Sequence, residues 1–219
     1  MAVMVMMLSG GIAHAGDPVA GMALFNNVPD AIISCGNAAC HGPNPNDNVN
    51  GLQKAGNNAG VIEAAIRVNI RQMMFLNGLL NPFQLDDLAA YLAPQPDLSS
   101  TAIAFDAQTV STASVAQIVT LKNLGGVDLA LTEITLAGAD ASSFTVNSNC
   151  STSAPLRSAV IDRKGGACSM TVTFRPSAAR SHQASLKLGY AGSTTFPASQ
   201  SIVLTGTGIG AAVTSSGWT

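Results

Sequence analysis

The chain of 219 residues predicts two folding units in succession, an all-α unit followed by an all-β sandwich. Three observations carry this prediction. Up to about residue 94 the apolar residues recur at helical spacing, and from Ser99 onward they alternate with polar ones. The four cysteines divide between the two parts, Cys35 and Cys40 in the first and Cys150 and Cys168 in the second. The expected layout is a leader at 1–15, a helical unit at 16–94, a linker at 95–99, a sandwich at 100–208 and a tail at 209–219.

The first ten residues are apolar, and Ala13-His14-Ala15 is a small-x-small cleavage pattern, so the mature chain is expected to begin at Gly16. The apolar run is shorter than the roughly 20 residues that span a bilayer, which argues against stable membrane insertion. The leader lacks the basic residues usual at its start, which points to a start codon further upstream. With a formal net charge of -2 and 10% charged residues, the chain has no basic field for nucleic acid or anionic lipid.

Asp17-Pro18 opens a helix expected over 18–27, with a carboxylate cap and proline at the first helical position. Met22 on this helix is expected to pack against the last one. Gly60-Val61 begins a second helix with Ile62, Ala65, Ile66, Asn69 and Ile70 on or near one face. A third starts at Asn81-Pro82, presents Leu85, Leu88, Ala89 and Leu92 as a stripe, and stops at Pro94. The Gly/Asn/Pro-rich loop at 40–60 offers almost nothing to build a core.

CGNAACH, residues 35–41, carries the chemistry. Two cysteines followed directly by histidine suit covalent haem: each thiol adds across a vinyl group, and the imidazole reaches the iron. The four-residue spacer exceeds the usual two, so the loop must bulge. A Cys35–Cys40 disulfide, a zinc site and a free thiol pair use the same residues; the disulfide leaves His41 unexplained, and zinc lacks a full ligand set, since His14 lies in the leader and Cys150, Cys168 and His182 lie in the other unit. The sixth iron ligand is expected from Met73 or Met74, after the second helix. Arg67 and Arg71, four apart, are candidates for neutralising haem propionates or docking a partner, with a solvated helix face as the plainer reading.

The order of a short helix, CGNAACHG, a Gly/Asn/Pro loop, a helix, a methionine and LDDLAAYLA resembles the class I cytochrome c domain over residues 18–93. The resemblance implies one haem c per chain, attached at Cys35 and Cys40, with His41 and a methionine as axial ligands and crossing helices around Gly21 and Tyr91. MMFLNGL favours Met73; counting back from AAYL favours Met74.

In the second part, Cys168, Met170, Val172 and Phe174 share one strand face. Val119 and Leu121, Leu129 and Leu131, Leu186, Leu188 and Tyr190, and Ile202 and Leu204 repeat the pattern. Cys150 and Cys168 are expected to form a disulfide in an exported domain. His182, Asp162 and the serines make no hydrolase motif. CSMTVTFRP and a closing LTGTG, with IAFDAQTV and IVTLKNLGG, resemble the immunoglobulin-like sandwich of the Hydin-like and choice-of-anchor D type, which implies a non-catalytic module for spacing or contact.

The expected function is therefore electron transfer by an exported monohaem c-type cytochrome, periplasmic or secreted, working with a redox partner protein and not as an enzyme. Two alternatives stay open: a binding or surface-assembly protein with a structural haem, and a haem enzyme or sensor with an open sixth site.

Overall fold

A computed structural model describes residues 16–31, 33–68, 73, 75–158, 166–191 and 198–211; the leader lies outside these. Helix α1 is Pro18–Asn26, and the Asp17 carboxylate accepts from the Val19 amide at 2.8 Å. Two short 3-10 segments, Pro45–Asp47 and Val49–Ala55, occupy the loop. Helix α2 is Ala59–Arg67, burying Ile62 and Ile66; the expected continuation to Asn69 and Ile70 lies outside the described residues. Helix α3 is Pro82–Tyr91. Its capping box is reciprocal: the Gln84 amide donates to Asn81 Oδ1 at 3.0 Å, and the Asn81 amide donates to Gln84 Oε1 at 2.9 Å.

α1 crosses α3 at Gly21, where a Cβ would stand 2.0 Å from the Asp87 carbonyl oxygen. Only a hydrogen on that face permits the approach. Phe25 and Tyr91 meet beside it with ring centroids 5.4 Å apart. Met22 is half-buried against the same helical core.

The strands are β1 (Pro96–Leu98), β2 (Ala102–Ala104), β3 (Gln108–Thr109), β4 (Gln117–Asn123), β5 (Leu131–Ala137), β6 (Phe144–Ser148), β7 (Ala167–Phe174), β8 (Ser181–Tyr190) and β9 (Ser199–Ile209). One sheet has the order β1-β4-β7-β6, the other β2-β9-β8-β5 with β3 also on β9. β2 and β3 run parallel to β9, and the remaining pairs are antiparallel. Side chains of alternating residues on the two inner faces fill the core between the sheets. The faces expected from alternation are buried: Cys168, Met170, Val172 and Phe174 on β7, Leu186, Leu188 and Tyr190 on β8, Ile202 and Leu204 on β9. Phe105, Phe144 and Phe174 cluster at 5.0–6.0 Å between centroids. Gly206 faces this cluster, where a Cβ would stand 2.6 Å from Phe174. Cys150 and Cys168 form the expected disulfide, joining the segment after β6 to the start of β7.

The expected division into a separate all-α unit and an all-β unit is corrected. The molecule is mostly β-sheet; its α-helices among the described residues are three, of nine or ten residues each. They do not stand apart from the sandwich. Residues 95–99, read as a linker, contain β1, paired with β4 from Pro96↔Asn123 to Leu98↔Leu121. Just past β4, Gly125 and Gly126 lie against the end of α3. A Cβ on Gly125 would stand 1.8 Å from the Ala93 carbonyl oxygen, and one on Gly126 2.3 Å from Tyr91. The Gly126 amide donates to the Tyr91 carbonyl at 2.8 Å, and the Leu124 amide to the Gln95 carbonyl at 2.9 Å.

Asn123, fully buried, holds this junction. Its Nδ2 donates to the Val127 and Leu156 carbonyls, and its Oδ1 accepts from the Gln95 and Gly125 amides. A second tie is reciprocal: Asn46 Nδ2 donates to Asp128 Oδ1 at 3.2 Å, and the Asp128 amide donates to Asn46 Oδ1 at 2.8 Å. Helical periodicity reports only local apolar faces. Whether such helices close a domain depends on contacts like these, which join residues far apart in the chain.

Candidate functional site

The segment after α1 turns back through Cys35, and the Gly36 amide donates to the Phe25 carbonyl at 2.7 Å. Asn37 then organises the long spacer. Its carbonyl accepts from the Cys40 amide at 2.9 Å and the Gly42 amide at 3.0 Å, while its Oδ1 accepts from the Ala39 amide at 2.9 Å. The extra residues are absorbed into this compact turn, which ends at Gly42 with φ of 74°. Cys35 is buried and Cys40 half-buried, and the two are not bonded to each other. Burial pushes the Cys35 thiol up to about 11, so it is protonated at neutral pH.

His41 follows directly. Its Nδ1 lies 3.1 Å from the Val49 carbonyl oxygen, which can only accept, so Nδ1 carries a proton and, in the neutral ring, Nε2 is the nitrogen with the free lone pair. The loop that supplies this carbonyl is bent by left-handed residues, Asn48 at φ 49°, Asn50 at 62° and Gly51 at 73°. Asparagine and glycine tolerate that conformation best, which explains the loop's composition. Asn50 Nδ2 donates to the Cys40 carbonyl at 2.9 Å, tying this loop to the cysteine turn.

Two cavities share this wall. The smaller, about 310 Å³, is lined by Cys35, Cys40, His41, Asn50, Met73 and Phe75 among others. The larger, about 420 Å³, shares Cys35, His41, Asn50 and Met73, and continues over Phe25, Leu52, Ala55, Ile62, Leu88 and Leu92. Four of the residues singled out in the sequence thus face one cavity system. Met73 is half-buried there; Met74 lies outside the described residues, as does Arg71. Arg67 lines neither of these cavities. It pairs with Glu63 at 2.5 Å on the exposed side of α2. Among the described residues, no three His, Cys, Asp or Glu side chains come together as a metal-binding group. Sequence reading missed Asn37, Asn50 and Lys54; asparagine flanking the cysteines and glycine marked a turn but not its contacts.

In the sandwich, His182 is buried with Ser143 and Asp140 nearby, yet the arrangement is structural. Ser143 Oγ is 3.2 Å and an Asp140 oxygen 3.4 Å from the same ring atom, Nδ1, while Nε2 donates to the Ala178 carbonyl at 3.0 Å. A serine nucleophile needs base and orienter on opposite ring nitrogens. Arg180 holds the Asp140 carboxyl well below the usual carboxylate range, helped by the Gln183 amide.

The fold defines the class of protein: a two-sheet β-sandwich with a small helical segment fastened to it. No protein-family model matches the chain. No curated protein matches it either. Solved structures that match part of the chain include a Porphyromonas gingivalis W83 protein of unknown function, 13% identical, covering 52% of this chain with a TM-score of 0.40. The chain spans 46% of that protein's length. The PapD-like domain 7 of human CEP192 is 18% identical, with 53% of this chain and 87% of that one covered and a TM-score of 0.37. The E. coli chaperone DraB is 11% identical, with 52% and 56% covered and a TM-score of 0.34.

The family resemblances drawn from the sequence are corrected by the fold, in which two β-sheets dominate and the three short α-helices form no separate all-α domain. One of the three solved structures is described as a PapD-like domain, and none of the three is described as a cytochrome or haem protein. Neither the class I cytochrome c identification nor the Hydin-like one is upheld; the β-sandwich and its disulfide are. A motif of seven residues and a set of short helices specify local chemistry, and they do not specify the surrounding fold.

Proposed function

We propose that the protein is an exported electron carrier that holds one haem covalently through Cys35 and Cys40, with the sandwich presenting that site to a redox partner. The observation that carries this reading is the single cavity system faced by both thiols, by His41 and by Met73. The donor set suits the group: the thiols are unbonded to each other, His41 Nε2 is left with a lone pair, and Met73 offers a thioether. When bound, haem supplies a one-electron ferric/ferrous couple. The chain's residues do the rest. The Val49 carbonyl fixes the imidazole's tautomer and orientation, and the Asn37 turn keeps the two sulfurs and His41 in one short segment. Phe25, Leu52, Ile62, Leu88 and Leu92 give the larger cavity an apolar wall. An oxidising compartment is supported by the Cys150–Cys168 disulfide. No helix among the described residues is long and apolar enough to cross a membrane.

Expression in a host with a haem-attachment system tests the reading. Haem absorbance is expected to stay with the polypeptide after acid-acetone extraction and to be low-spin. Met73→Ala is expected to convert the spectrum to high-spin, whereas Met74→Ala leaves it unchanged; the reverse result moves the ligand to Met74. A colourless product from such a host sinks the proposal.

A further inference from the structure

We propose that Lys54 is the anion-binding residue of this pocket, receiving the carboxylate end of the bound cofactor; the inference rests on the haem reading above. Among the described residues lining the two cavities, Lys54 is the one Lys or Arg, and no Asp or Glu accompanies it. None of the ion pairs formed by the described residues engages its ammonium group. Its stem folds over Gly51, another lining residue: a Cβ there would stand 3.5 Å from Lys54 Cε and 3.8 Å from Nζ. Gly51, at φ 73°, provides the space along which the stem lies. A cavity with apolar walls and one cation fits a ligand with a flat apolar body and an acidic end.

The physics assigns direction as well as class. Lys54 is exposed at the rim of the cavity, so an acidic end paired with its ammonium keeps part of its hydration while the apolar body of the ligand lies inside. The vinyl-bearing part is then directed to Cys35 and Cys40. Of the two arginines the sequence offered for this role, Arg67 is engaged with Glu63 and lines neither cavity, and Arg71 lies outside the described residues. A cation beside the cofactor also disfavours the more positive oxidation state, so Lys54 raises the tendency of the iron to be reduced.

The test uses the full matured chain and compares Lys54→Gln, Lys54→Glu and Lys54→Arg with the wild type. Lys122→Gln, an exposed lysine on β4, serves as the control. The readouts are haem per polypeptide and the ferrous-to-ferric ratio at one fixed ambient potential. Lys54→Gln is expected to lower that ratio about threefold and Lys54→Glu about tenfold, with Lys54→Arg and Lys122→Gln at wild type. Haem loading that falls in the same charge order, with Lys54→Arg preserved, supports the proposal equally. Wild-type loading and ratios in both Lys54→Gln and Lys54→Glu overturn it while leaving the haem reading intact. A colourless wild-type protein removes both.

Discussion

The sandwich and the helical segment differ in how completely they bury their own interior. In the sandwich, strand alternation brings Met170, Val172, Phe174, Leu186, Leu188, Ile202 and Leu204 to full burial, with three phenylalanines in mutual contact. The helical segment has Phe25 and Tyr91 at its centre and leaves cavities of about 310 and 420 Å³ beside them. A segment of this size with so little apolar mass gains stability by leaning on a neighbour or by enclosing a ligand. It leans through Gly125, Gly126 and Asn123, and its cysteines, His41 and Met73 face the space that remains. The comparison teaches that the chemistry of this protein gathers where its core is incomplete, and that the well-filled part serves as the platform.

The largest effect expected from breaking this relation is at the junction. Gly126→Val would force a side chain into Tyr91 and is expected to cost about 3 kcal/mol or more, the range of a severe core clash. Denaturant unfolding followed by hydrogen exchange should then show α1–α3 opening before β7–β9; a single unchanged transition would refute mechanical coupling of the two parts. An intermediate effect is expected from removing the disulfide. Cys150→Ser with Cys168→Ser should lower stability by about 3 kcal/mol on the chain-entropy estimate for its 18-residue separation. The loss should appear in the thermal unfolding of the sandwich, with hydrogen exchange in the segment around Cys35, Cys40 and His41 unchanged.

The smallest effect is pH-dependent and sharpens the contrast from the sandwich side. Arg180 and the Gln183 amide stabilise ionised Asp140, so its folded-state value lies below the unfolded one of about 3.9. That contribution is present above the unfolded value and is lost as pH falls through the folded value. Stability of the wild type should therefore decline from about pH 5 downward more steeply than that of Asp140→Asn, measured by urea midpoints across an acid series.

Legibility followed the range of the interactions. The buried face of β7 and the Asn81-Pro82 helix start were readable because each depends on residues two to four apart. The disulfide was readable from compartment and spacing. Leu129 was correctly expected to be buried, yet it sits in an isolated bridge to Leu156 ahead of β5. β1 was not readable: it has three residues, begins with proline, and exists because β4 pairs with it. The role of Gly125-Gly126 was not readable, since nothing local reveals that Ala93 and Tyr91 press against it. Lys54 carried no signal beyond its charge, whereas Arg67 and Arg71 drew attention by their spacing alone.

Sequence by itself determined the strand faces, the helix starts, the pairing of Cys150 with Cys168 and the presence of two thiols and an imidazole in one short segment, because periodicity, caps and reactive groups are written in neighbouring residues. Tertiary structure alone decided that the helices dock on the sandwich and form no separate unit, that Met73 shares a cavity with His41, and that Lys54 lines it. Those outcomes depend on which distant surfaces come within van der Waals reach, and a linear pattern carries no record of that distance.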